Sequence, residues 1–62
     1  MKIVYRDKVW ELPGNTTVRD AIKKIGLNPE SVLAMRDGKL LTDDVLIRPE
    51  DIIKLIAVVS GG

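Results

Sequence analysis

Short alternating runs open the chain. Lys2-Ile-Val-Tyr-Arg6 and Lys8-Val-Trp-Glu-Leu12 are two β-prone stretches separated by a polar break at Asp7, which predicts a hairpin. Successive strand side chains point to opposite faces, so Ile3, Tyr5, Trp10 and Leu12 are expected on the core side and Val4 on the other. Pro13-Gly14-Asn15 ends the second strand. The period then changes. Val18, Ala21, Ile22 and Ile25 fall at i, i+3, i+4 and i+7, one apolar stripe of a helix whose wet side carries Arg19, Lys23 and Lys24. Thr17 and Asp20 have the spacing of a capping box, with aspartate in place of the usual Glu or Gln. Gly26 supplies the stop, Leu27 folds back on the last turn, and Asn28-Pro29 prevents continuation.

Val32 to Met35 reads as a third strand, Asp37-Gly38 as a two-residue hairpin turn and Lys39 to Leu41 as the returning strand. Thr42-Asp43-Asp44 and Arg48-Pro49-Glu50-Asp51 are polar connections. The most apolar stretch, Ile52 to Val59, is the expected last strand. Lys54 should face water, which sends Ile53, Leu55 and Ala57 inward and Ile52, Ile56 and Val58 outward. The order β-β-α-β-β-β, with a helix apolar on one side only, predicts an α+β domain: a mixed β-sheet packed on one α-helix. Residues 1–59 form that domain, and 60–62 a flexible tail. Val4, Ile56 and Val58, with Val32 and Ala34 beside them, are expected on the face away from the helix. Such aliphatics are either ordinary scattered surface residues or one contiguous docking patch.

Composition narrows the chemistry. A chain of 62 residues buries only roughly 60% of the surface it exposes when unfolded, and without cysteine it has no disulfide to compensate. The absence of cysteine and histidine also removes thiolate chemistry, soft-ligand zinc sites and imidazole acid–base catalysis. The core is therefore aliphatic, with Trp10 and Met35 expected within it. Ten cations against nine anions leave +1, well short of the surplus a nucleic-acid binder of this size needs. No apolar run approaches the roughly 20 residues of a membrane span, and charges interrupt the first twelve residues. A cytoplasmic monomer is expected. Asp43-Asp44 reads as a solvated loop pair, and Glu50-Asp51 as a turn or as charges facing a partner.

Chemistry is left to the chain end. Ser60-Gly61-Gly62 follows the most apolar strand directly. Glycine has no Cβ, so this segment fits a slot too narrow for side chains and offers its carboxylate to an enzyme.

These features together resemble the β-grasp, ubiquitin-like sulfur carriers of the ThiS/MoaD superfamily over essentially the whole length. Gly26-Leu-Asn-Pro-Glu-Ser-Val-Leu-Ala-Met35, Leu40-Leu41-Thr42 and the closing Val-Ser-Gly-Gly are most similar to the bacterial type that supplies sulfur for 2-thiouridine in tRNA and is also conjugated to proteins. The resemblance implies that a ubiquitin-activating-type enzyme, using its own ATP and magnesium, adenylates Gly62, whose carboxylate then becomes a thiocarboxylate. Gly61 and Ser60 would thread into that enzyme, with Val4, Ile56, Val58 and Val59 docking on it. A sulfurtransferase or cysteine desulfurase would supply the sulfur, and a synthase or tRNA thiolase would accept it. The chain is then a protein co-substrate rather than an enzyme. It binds no metal or cofactor and contacts no nucleic acid or membrane directly. Thiamin (thiazole) or molybdopterin synthesis, a modifier joined to lysines, and a plain β-grasp interaction domain stand as alternatives. Ile56-Ala57-Val58-Val59 lacks the prolines that molybdopterin-synthase small subunits tend to carry there, and thiamin carriers commonly read differently before the glycines.

Overall fold

A computed structural model describes residues 1–58. In chain order its elements are β1 (Lys2–Tyr5), β2 (Lys8–Glu11), β3 (Thr16–Thr17), α1 (Val18–Lys24), a 3-10 turn (Pro29–Ser31), β4 (Val32–Arg36), β5 (Lys39–Leu41), β6 (Leu46–Ile47) and β7 (Ile52–Ala57). Five strands form one mixed sheet in the order β2-β1-β7-β4-β5. Only the β1–β7 pair is parallel. With α1 on one side, this is the α+β arrangement expected from the element order and the ubiquitin-like β-grasp that the resemblance implies. No helix among the described residues is long and apolar enough to cross a membrane.

Local sequence explains most elements. Arg6 turns the first hairpin at φ 56°, and Asp37-Gly38 turns the second at φ 54° and 80°, the left-handed pair that a tight two-residue loop requires. Thr17 caps α1, its Oγ1 accepting the Asp20 N–H at 3.2 Å. Gly26 adopts φ 87° just past the helix. The Gly26 and Leu27 N–H groups donate to the Lys23 and Ile22 carbonyls at 3.0 and 3.2 Å, closing the end as a Schellman motif. Val18, Ala21 and Ile22 are thereby pressed against Ile3, Ile53 and Leu55 in the buried core, with Tyr5, Trp10, Leu12 and Ile25 packed around it.

Several expectations need correction. Val32 and Ala34 are buried in the core rather than exposed on the outer face. Pairing with β7 sets this phase: Ala34 lies opposite buried Leu55, whereas Leu33 and Met35 lie opposite outward Ile56 and Lys54. Met35 therefore stands half-buried on the outer face, not in the core. Ala57 is exposed rather than inward; it pairs with Val32 at the margin of the sheet, where β4 begins and β7 ends. The last strand stops at Ala57 with Val58 outside it, and its expected end at Val59 lies outside the described residues.

Two features had no counterpart in the sequence reading. β3 and β6 form a separate two-stranded sheet, which carries fully buried Ile47 into the core. The Pro29–Ser31 turn, capped by Asn28 Oδ1 accepting the Glu30 N–H at 3.0 Å, leads straight into β4.

Candidate functional site

Alternation along each strand, set against the observed register, defines the face turned away from α1. Across its middle run Val9, Val4, Lys54, Met35 and Leu40, one from each strand in sheet order. Ile52 and Ile56 flank Lys54 along β7, and Leu33 sits opposite Ile56. Ile52 is 60% exposed, Leu33 44%, Ile56 41%, and Val9 and Leu40 lie more than half in water. These side chains form one apolar field with Lys54 at its middle, and Lys2 and Glu11 lie on the same face beside Ile52. Contiguous exposed apolar surface of this kind is more than the scattered aliphatics a small domain ordinarily carries. At one end of it, Met35, Asp37, Gly38, Ile52 and Lys54 line an open groove of about 470 Å³.

Of the predicted docking residues, Val4 is half-buried on this face and Ile56 and Val58 are exposed. The same face also carries Leu33, Met35, Val9, Ile52 and Leu40. The phase of Lys54 already pointed to Ile52, but the β4 residues become legible only once that strand is paired. Val59, Ser60, Gly61 and Gly62 lie outside the described residues.

The root of the tail is well defined. Beyond the β4–β7 ladder the Val58 N–H donates to the Ser31 carbonyl at 2.9 Å, so the 3-10 turn holds the last described residue. Val58 follows Ile56 by two residues on the same strand direction. The parallel partner β1 and the antiparallel partner β4 both lie beside it, so β7 leaves from the middle of the sheet. The four remaining residues span at most about 14 Å when extended. Any enzyme acting on the terminal carboxylate must therefore come within that distance of Val58, and the apolar field is the adjoining surface.

The titratable groups elsewhere serve structure. Asp51 Oδ2 accepts the Arg48 N–H at 3.0 Å and Arg36 Nη1 at 2.8 Å, tying the turn before β7 to the end of β4. The hydrogen bond from the Arg48 backbone, reinforced by Arg36, holds the Asp51 carboxyl below the ordinary aspartate value. Asp44 is lowered as well, chiefly by the Thr42 hydroxyl donating to its Oδ1 at 2.6 Å. Its neighbour Asp43 takes the Arg19 N–H on its backbone carbonyl. Among the described residues, no three His, Cys, Asp or Glu side chains are grouped to hold a metal ion. The described part offers an exposed apolar surface and the root of the C-terminal segment.

Comparison with known proteins agrees with this division. The model of the ThiS family matches residues 2–62, the Gly-Gly end included. The chain is also 38% identical to the sulfur carrier protein TtuB of Thermus thermophilus over 65 aligned positions, which take in 100% of both chains. A match of this extent, on a mixed sheet of β-grasp order, places the chain in the ThiS family.

Proposed function

We propose that the chain is a sulfur carrier whose working group is the Gly62 carboxylate, with residues 1–59 as the handle and 60–62 as the arm. The observation that carries this reading is the family match reaching residue 62. Placement adds support: only four residues separate the terminus from Val58, which adjoins an exposed apolar face. A carboxylate is a poor acyl donor. In the proposed cycle an ATP-dependent adenylating enzyme joins it to AMP with release of pyrophosphate, and the terminal sulfur of a donor persulfide then displaces AMP at the carbonyl carbon to give an acyl disulfide. A thiol of the partner attacks the donor's sulfur of that disulfide, leaving the sulfur on Gly62 as a thiocarboxylate and the thiol and donor joined as a disulfide. The resulting thiocarboxylate is the sulfur passed on. The chain contributes the electrophilic carbon and later the sulfur, while ATP and magnesium stay with the partner.

The sulfur itself would come from a sulfurtransferase or cysteine desulfurase. Resemblance around Gly26 to Met35 and in the closing Val-Ser-Gly-Gly favours tRNA 2-thiouridine as the destination, and the carrier of known name at 38% identity supports the sulfur-carrying role itself.

The test is pyrophosphate exchange catalysed by the adenylating enzyme of the same organism, with this chain as the varied substrate. The wild type supports exchange. Gly61→Val stops it, because a branched side chain cannot follow glycine into a narrow slot, whereas Ser60→Ala retains it. Unimpaired exchange with Gly61→Val contradicts the threading role.

A further inference from the structure

We infer that Lys54 is a specificity residue of the docking face, and that the adenylating partner meets it with a carboxylate placed beside an apolar side chain. The inference rests on the docking role proposed above and goes on to name the chemistry of the partner's surface.

Its position carries the argument. Lys54 is exposed at the middle of the central strand, opposite Val4 on β1 and Met35 on β4, with Ile52 and Ile56 before and after it. The edge strands β2 and β5 lie two strands away on either side, roughly 10 Å at ordinary strand spacing. A four-carbon stem is too short to carry its ammonium to the rim once the face is covered. Among the described residues the ion pair present is Arg36–Asp51, and Asp37, at the hairpin end of the same groove, is not within ion-pair distance of Lys54. A partner that covers this field strips water from the ammonium. An unpaired buried charge is strongly unfavourable, and a matching carboxylate with good geometry removes most of that penalty.

The groove beside Lys54 supplies the second half. Its walls are apolar at Met35 and Ile52, Asp37 and Gly38 stand at the hairpin end, and Lys54 closes the opposite side. A segment bearing an apolar residue next to an acid fills both features at once. A partner with an all-apolar surface would leave the ammonium stranded, and a basic one would repel it. Lys54 thus admits one class of apolar surface and rejects the others, which is how specificity is built against unwanted partners.

The experiment measures KM for this chain in pyrophosphate exchange with its own adenylating enzyme, across a salt series. The variants are Lys54→Met, Lys54→Glu and Lys54→Arg, with Leu33→Thr and Ile56→Thr as tests of the face itself. Because Lys54 is exposed, its variants should keep the wild-type circular-dichroism melting curve, which is checked first. Lys54→Met should raise KM roughly 30-fold or more, the usual consequence of orphaning one member of an interfacial charge pair. It should also flatten the salt dependence. Lys54→Glu should do worse, and Lys54→Arg should stay near wild type. If Lys54→Met binds as well as wild type or better while the threonine variants weaken binding, the face docks but meets no acid, and the inference is overturned. If none of the five substitutions changes KM, the docking role fails and takes the inference with it.

Discussion

Replacing Leu33 and Ile56 together by threonine probes the docking face where it adjoins the tail. The two residues lie directly opposite one another on β4 and β7. Burying a whole Leu or Ile side chain is worth about 1.5–3 kcal/mol, but Leu33 is 44% and Ile56 41% exposed, so only that fraction remains for a partner to cover. Scaled accordingly, and allowing for threonine's remaining methyl group, the pair contributes about 1–2 kcal/mol to docking. At about 1.4 kcal/mol per tenfold, KM for the carrier rises roughly 5- to 30-fold. Threonine keeps the β-branched shape that strands favour, so the fold should survive. The assay is pyrophosphate exchange, with thermal melting alongside and Lys24→Ala as a control on the helix face. An unchanged KM in a folded double variant refutes the placement of the interface. So does an equal effect of Lys24→Ala.

Other outcomes test the scaffold. Gly14 packs so closely on Pro49 that an added Cβ would lie 2.4 Å from its backbone nitrogen. Gly14→Ala should therefore cost about 1–3 kcal/mol of overpacking, read from the urea midpoint; an unshifted midpoint shows that the loop gives way. Thr17→Ala removes the α1 cap and should cost about 1 kcal/mol, a drop of roughly 4–8 °C in melting temperature, with Thr17→Ser recovering most of it. Asp51 is lowered from its ordinary value of 3.8 in the folded chain. The unfolded chain therefore binds the proton first as pH falls. The stabilisation is complete above 3.8 and disappears as pH drops through the folded value. Asp51→Asn should flatten that acid limb of the melting curve; an unaltered limb in the variant removes Asp51 from the account.

Much of this architecture could be read from the chain because local signals agreed with the fold. The Thr17 cap, the Ala21–Ile22 stripe and Gly26 each specify the same helix, and Asp37-Gly38 specifies its turn. Where the reading slipped, local information was missing. Val32-Leu-Ala-Met35 is apolar at every position, so nothing in it tells inside from outside; only hydrogen bonding to β7 does. A phase error of one residue there exchanged Val32 and Ala34 for Leu33 and Met35. β3 and β6 are two residues each, too short for any alternation, so Ile47 gave no sign of its burial. On β7 the outward set was visible because Lys54 breaks an otherwise apolar run. The tail is the reverse case, legible in Ser60-Gly61-Gly62 and in the family match alone.

The most direct trial of the carrier role is the intact mass of the full chain after incubation with its adenylating enzyme, ATP and a sulfur donor. The account predicts a product heavier by the difference between one sulfur and one oxygen, carried on the C-terminal peptide at Gly62 and absent when ATP is left out. A C-terminal peptide of unchanged mass, under conditions where the enzyme demonstrably forms the adenylate, would contradict it.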